Sequence, residues 1–200
     1  MSASPAVAGL VLAGGRSVRF GGEKAVALLD GKPLLAWAAE RLRSVCANVA
    51  ANVRPGTEAE AVARSLALPV LHDEAGDAMG PLAGVKVGLI WAGEQGARTL
   101  AVSPCDAPSL PDDLYRRLLE RAEGGAAMAE TSDGRQPLCA VWPVSALPAV
   151  REALAGGAHP PTWQLLERLG ARKERFERPE QFANINTRAD LAALARADRR

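Results

Sequence analysis

Gly9-Leu-Val-Leu-Ala-Gly-Gly-Arg-Ser-Val-Arg-Phe-Gly-Gly-Glu-Lys24 is the stretch that decides how the rest of the chain is read. Its opening, Gly9–Ala13, is apolar without alternation, the pattern of a strand covered on both faces. Glycine and positive charge follow directly. Gly14, Gly15, Gly21 and Gly22 let the backbone turn tightly and bring its N–H groups close to an anion. Arg16, Arg19 and Lys24 add cations, arginine able to grip two phosphate oxygens and lysine acting as a compact point charge. A buried strand feeding such a loop reads as triphosphate binding; the bland alternative is a flexible connection with solvated arginines. The common phosphate loop is absent, because Gly31-Lys32 is followed by Pro33, and no G-x-G-x-x-G marks a dinucleotide site.

Outward from this stretch, apolar runs of strand length alternate with amphipathic segments of helix length. Strands are expected at Asn48–Asn52, Pro69–His72, Thr99–Ser103, Ala126–Thr131 and Leu138–Trp142. Helices are expected from Pro33 to about Ser44, and at Glu58–Leu66, Leu82–Ala92, Pro111–Ala122, Ser145–Ala155 and Trp163–Leu169. A last helix starts at Thr187, where Thr187-Arg-Ala-Asp190 resembles a capping box, and Arg196–Arg200 is expected to fray. Alternation of this kind predicts a three-layer α/β fold, a mainly parallel sheet flanked by helices, in one domain spanning residues 1–200. Ligands collect at the carboxyl ends of such strands, so each candidate residue is judged by whether it follows one.

The totals exclude several classes. Hydrophobic residues at 48% and charged residues at 24% can fill an ordinary core, and a net charge of +1 advertises neither nucleic acid nor membrane. Cys46, Cys105 and Cys139 are far apart and only His72 and His159 accompany them, so no zinc site or disulfide framework is expected. The apolar run Ala6–Gly15 is too short to span a bilayer and lacks a basic flank, which predicts a buried strand in a cytoplasmic protein.

Ser103-Pro-Cys-Asp106-Ala-Pro108 closes the strand at Thr99–Ser103. Asp106 therefore sits at a carboxyl end between two prolines, too early to cap a helix starting near Pro111. Mg²⁺ needs few protein carboxylates and completes its shell with water and phosphate oxygens, so one aspartate suffices. Asp73 follows another strand, and Gly80-Pro-Leu-Ala-Gly84 opens a helix whose N-terminus suits an anion or a flat base. Taken alone, each of these is equally turn chemistry. Asn184-Ile-Asn186-Thr187 places two amides two residues apart, either a capping loop or a pair that donates to and accepts from a heteroatom-rich ring. The four tryptophans read as packing residues.

Together, Leu12-Ala-Gly-Gly-Arg-Ser-x-Arg-Phe-Gly-Gly-Glu-Lys24, Gly80-Pro-Leu-Ala-Gly84, Pro104-Cys-Asp-Ala-Pro108 and Asn184-Ile-Asn-Thr187 resemble the molybdenum cofactor guanylyltransferase family, collinearly over nearly the whole chain. The resemblance implies a Rossmann-like nucleotidyltransferase fold and transfer of GMP from GTP to molybdopterin with Mg²⁺. It implies that Leu12, Ala13 and Gly14 touch the nucleotide, Lys24 the phosphates, and Asn52 and Asp73 the guanosine. Asp106 would hold Mg²⁺, and Asn184 and Asn186 would lie near the pterin. A molybdoenzyme or chaperone that receives the cofactor is a further implied partner. Two departures stand out: Glu23 where Asp is expected and Phe20 where Met is usual.

The chemistry implied is in-line attack by the acceptor phosphate on the α-phosphorus, with Lys24, Arg19 and Asp106 as the catalytic set. Two rivals remain open: the same fold using CTP on molybdopterin or an NTP on a sugar phosphate, and a non-catalytic nucleotide or cofactor carrier. All versions with chemistry require the loop bearing Lys24 and the carboxylate of Asp106 to meet in one cavity.

Overall fold

A computed structural model describes residues 7–15, 17–76 and 80–197 of the chain; Arg16 and the tail beyond residue 197 lie outside these. Among the described residues, nine strands and seven α-helices follow in chain order. They are β1 (Val7–Leu12), β2 (Leu28–Leu29), β3 (Lys32–Pro33), α1 (Leu34–Arg43), β4 (Asn48–Asn52), α2 (Glu58–Ser65), β5 (Val70–Leu71) and α3 (Pro81–Glu94). The second half holds β6 (Thr99–Pro104), α4 (Leu114–Ala122), β7 (Ala127–Thr131), β8 (Gly134–Pro143), α5 (Leu147–Leu154), α6 (Thr162–Arg168), β9 (Arg172–Arg175) and α7 (Arg188–Ala197).

Seven strands form one sheet in the order β5-β4-β1-β6-β8-β7-β9. β1 pairs in parallel with β4 and with β6, β4 with β5, and β7 with β9, while β8 runs antiparallel between β6 and β7. Side-chain alternation along β1 and β6 feeds two cores. Val11 and Ala101 face α1 and α4 through Leu35, Leu42, Leu114 and Leu118. Leu10, Leu100 and Val102 face α3, α5 and α6 through Leu82, Leu89, Val150 and Leu165. Strands covered on both sides have no polar face, which is why these two read as unbroken apolar runs. The Rossmann-like, three-layer, mainly parallel expectation holds. Among the described residues no helix is long and apolar enough to cross a membrane.

Every expected element is present, with differences at the boundaries. Pro33 is the N-cap of α1 and closes a short β2–β3 hairpin, because Leu28 pairs with Pro33 and Leu29 with Lys32 before the helix begins. α4 starts at Leu114 rather than Pro111, whose carbonyl accepts from the Leu114 N–H at 3.2 Å in a preceding turn. β8 begins four residues earlier than its apolar part, as the second arm of a hairpin with β7. β9, Arg-Lys-Glu-Arg, carries no apolar signal and was not expected. Arg196, expected to fray, is still helical in α7.

α3 lies close on the sheet because glycines face it. A Cβ at Gly88 would sit 2.6 Å from Leu10 Cδ2 and 3.0 Å from Leu100 Cδ2, whereas at Gly93 it would meet only Val144 Cγ1 at an ordinary 3.5 Å. Overpacking a buried contact costs about 1–3 kcal/mol, while Gly to Ala in a helix gains about 0.5–1 kcal/mol. Gly88→Ala is therefore expected to lose stability and Gly93→Ala to gain a little, in urea unfolding. A Gly88→Ala chain as stable as the wild type would mean α3 can lift off the sheet freely.

Candidate active site

The chain runs from β1 outward to β4 and β5, then returns across β1 to place β6 on its other side. That reversal opens a crevice between the carboxyl ends of β1 and β6, the place where sheets of this kind hold ligands. A cavity of about 550 Å³ lies there. The strand ends stay linked beyond the sheet: Ala13 N–H donates to the Asn52 carbonyl at 2.8 Å and Cys105 N–H to the Leu12 carbonyl at 3.2 Å.

The loop after β1 forms one wall. Ser17 takes left-handed backbone angles (φ 47°) and Gly21 likewise (φ 71°), each bracketing the short 3-10 turn Val18–Phe20. A second such turn, Lys24–Val26, follows, and Lys24 N–H donates to Ser17 Oγ at 3.3 Å. This folding turns Lys24 inward. Its Nζ lies 2.5 Å from Asp106 Oδ2 and 3.3 Å from Asn186 Oδ1, with both side chains of the ion pair mostly buried. The loop and the carboxylate meet in one cavity, as the sequence reading requires.

Asp106 is held from behind. Its carbonyl accepts from Ile185 N–H at 2.7 Å, and Arg41 of α1 donates to the Pro108 carbonyl at 3.3 Å while pairing with Asp112. The floor comes from β4 and β5: Asn52 Nδ2 donates to Asp73 Oδ1 at 2.8 Å. Gly80 and Pro81, where the N-terminus of α3 points at the cavity, supply another wall. Gly84 allows that approach, since a Cβ there would be 2.5 Å from Asn52 Oδ1.

Leu12, Ala13, Gly14, Gly15, Arg19, Lys24, Asn52, Asp73, Asp106 and Asn186 all line this cavity. Arg16 lies outside the described residues. Asn184 is the exception among the expected residues. It is exposed and off the wall, and its carbonyl only receives Asn186 Nδ2 at 3.4 Å. The two amides separate because the segment is not a strand. Ile185 buries against Phe20 and Leu34, and the capping box draws the backbone round: Asp190 Oδ2 accepts from Asn186 N–H at 2.9 Å and Thr187 N–H at 2.8 Å, while Thr187 Oγ1 accepts from Asp190 N–H at 3.1 Å. The tryptophans are off the wall, as are both histidines.

Arg54 and Leu138 line the cavity and were missed. Arg54 follows just beyond the carboxyl end of β4, the position at which ligands collect, a signal that was available. Leu138 reaches the wall only because β8 runs antiparallel beside β6, which no local pattern declares.

Cys105, half-buried on the wall, has its thiol pushed up to about 12 by burial and then by the Asp106 carboxylate. Burial thus disfavours its thiolate form. Burial likewise pushes the Cys46 thiol up to about 12.

A sheet reversed between β1 and β6, with a cation-bearing glycine loop on one side of the crevice and a carboxylate on the other, is the nucleotidyltransferase form of the Rossmann-like fold. Comparison with known proteins agrees. Residues 9–173 match the MobA-like NTP transferase domain. A molybdenum cofactor guanylyltransferase from Cereibacter sphaeroides is 40% identical over 187 residues, covering 92% of this chain and 93% of that protein. Another from Rhodobacter capsulatus is 36% identical over 193 residues, covering 93% of each. The crystal structure of molybdopterin-guanine dinucleotide biosynthesis protein A from Archaeoglobus fulgidus superposes with a TM-score of 0.77 at 24% identity, over 96% of this chain and 98% of that one. The 2-C-methyl-D-erythritol 4-phosphate cytidylyltransferase of Thermus thermophilus shares the fold at a TM-score of 0.69 and 20% identity, over 100% of both chains. The chain belongs to the MobA-like NTP transferase family and, within it, to the molybdenum cofactor guanylyltransferases, nucleotidyltransferases of molybdenum cofactor biosynthesis.

The raised thiols set an alkaline limit. A group whose folded pKa exceeds its ordinary value stabilises the fold fully below that value and ceases to as pH climbs to the folded one. For Cys46 and Cys105 the window runs from 9.0 to about 12. The thermal midpoint is expected to fall progressively above pH 9.0, and a Cys46→Ala, Cys105→Ala double variant to fall less steeply. Identical slopes in the two proteins would show that these thiols do not carry the effect.

Proposed function

We propose that the chain transfers GMP from GTP to molybdopterin with Mg²⁺, giving molybdopterin guanine dinucleotide and pyrophosphate. The observation that carries this reading is the 2.5 Å approach of Lys24 Nζ to Asp106 Oδ2 inside a cavity also lined by glycine-loop backbone. Names of close relatives supply the nucleotide and acceptor; the geometry supplies a place for a polyphosphate and a cation. Free cysteines, with Cys46 and Cys139 buried, suit a reducing cytoplasm, where we place the reaction.

The donor set fits Mg²⁺. Asp106 offers a hard carboxylate oxygen in the cavity, and the ammonium of Lys24 already occupies a position between it and the amide oxygen of Asn186. No group of three or more His, Cys, Asp or Glu that could hold a metal occurs among the described residues. Such a sparse site suits an ion that keeps its waters and takes phosphate oxygens from substrate. Held by Asp106, Mg²⁺ would supply Lewis-acid charge to the phosphate oxygens.

The residues of the chain do the rest. Backbone N–H groups of Gly14 and Gly15 face the nucleotide beside Leu12 and Ala13, and the Asn52–Asp73 pair meets the guanosine portion. As the triphosphate enters, the Lys24 ammonium exchanges the Asp106 carboxylate for phosphate oxygens. An acceptor phosphate oxygen, already ionised, attacks the α-phosphorus; the bond from that phosphorus to the bridging oxygen breaks and pyrophosphate leaves. No general base is required. Lys24 and Arg19 neutralise charge on the departing pyrophosphate, and Asn186 orients the acceptor. Catalysis by positioned charge of this kind typically loses on the order of 10²–10³ in rate when one element is removed.

Asp106→Ala and Lys24→Ala are expected to stay folded and to lower dinucleotide formation by about 10²-fold or more, read by mass from an incubation with GTP, Mg²⁺ and molybdopterin. Near-normal turnover in either variant would overturn the roles of both residues. In thermal-shift measurements with Mg²⁺, GTP is expected to stabilise the chain more than CTP, ATP or UTP. Preferential stabilisation by CTP would retire the guanylyl reading.

A further inference from the structure

The cavity wall between β1 and the β2–β3 hairpin contains no strand or α-helix among its described residues, yet it carries Lys24, whose placement the whole site depends on. Three attachments fix it. Phe20 buries against Leu34 and Ile185, Ala25 buries in the core below α1, and Glu23 Oε2 accepts a hydrogen bond from Ala59 N–H at 2.7 Å. The third joins residues 36 apart in sequence and is the one polar anchor of the loop on α2 among the described residues.

The N-terminus of α2 is built to receive it. A helix start leaves its first N–H groups without intrahelical acceptors. Thr57 Oγ1 takes the Glu60 N–H at 3.3 Å, and Glu60 Oε2 turns back to Gly56 N–H at 2.7 Å. Of the first-turn donors, the Ala59 N–H finds its acceptor in Glu23, from a different part of the chain. A carboxylate is also favoured there by the partial positive charge of the helix end. Glu23 is extended (φ −77°, ψ 112°) and caps the 3-10 turn that Lys24 opens, so the two neighbouring side chains reach different partners. One reaches α2 while the other reaches Asp106.

We propose that Glu23 is a positioning residue: by capping α2 with its side chain it fixes the backbone at residues 23 and 24 and so delivers the Lys24 ammonium to the polyphosphate site. Glu23 also lines the cavity, but its carboxylate is engaged by the Ala59 N–H. The kinetic part of this inference rests on the guanylyl reading; the structural part does not.

The test compares full-length wild type with Glu23→Gln and Glu23→Ala. Gln keeps an acceptor oxygen at the same reach without the charge; Ala keeps neither. In ligand-free protein, amide exchange at Ala59 is expected to quicken roughly tenfold or more in Glu23→Ala and to stay slow in Glu23→Gln. Calorimetry with tripolyphosphate and Mg²⁺ is expected to show affinity about tenfold weaker for Glu23→Ala, with Gln recovering most of it. In the transfer assay the Ala variant raises KM for GTP and lowers kcat together, and the Gln variant restores both. Unchanged Ala59 exchange in Glu23→Ala would remove the tether. A Gln variant as impaired as Ala would make cavity charge the operative property. Lowered thermal midpoints with unaltered tripolyphosphate affinity would reduce Glu23 to a purely structural cap. The exchange and affinity arms need no acceptor, so they decide on the tether even if no dinucleotide forms.

Discussion

The order in which the chain lays down its strands constrains everything above it. After β1 it builds outward through β4 and β5, and α3 then carries it back over the sheet to β6. Loops leaving β1 and β6 must diverge at their carboxyl ends, and the gap between them cannot be filled by a connecting segment. The loop after β1 therefore faces the segment that carries Asp106 across open space, although 82 residues separate Lys24 from Asp106. Because the two strands are parallel neighbours in full register, from Val7 with Thr99 to Leu12 with Pro104, the facing ends are fixed with little slack.

Rigidity reaches the cavity from several sides by different means. The loop bearing Asp106 is gripped by Arg41 from α1 and by the Ile185 amide from the C-terminal segment. That segment is itself pinned by burial of Ile185 and by reciprocal capping between Thr187 and Asp190. Leu191 and Leu194 of α7 extend the same apolar cluster over Phe20. The last helix thus closes over the glycine loop, tying the two ends of the chain to one wall. Apolar burial supplies most of the energy in such contacts, while the hydrogen bonds select the geometry.

How much of this was legible in the sequence follows from where the information resides. β1 and β6 announce themselves because burial on both faces forbids polar residues. Asp106, Asp73 and Asn52 could be assigned to one side of the sheet because each falls at a strand end. β9 could not be seen: its residues are all charged, held by pairing with β7 and by ion pairs such as Arg117 with Glu174 at 2.6 Å. The direction of β8 was equally hidden, since an apolar run does not state which way it points, and Leu138 was lost with it. Asn184 was misplaced because even spacing implies a shared face only in an extended strand, and the capping box bends this one. Glu23 looked like a minor departure in a loop; its contact with Ala59 depends on where α2 lies, which is tertiary information.

The Lys24–Asp106 ion pair has one more consequence. A crevice that supplies its own counter-ion pairs its charges internally, and a divalent cation arriving alone would have to displace a covalently tethered ammonium from the Asp106 carboxylate. On the proposed reading, affinity for the ion is then conditional: the polyphosphate must first lure the lysine away. The protein would ignore free magnesium and take it up only in the company of a nucleotide.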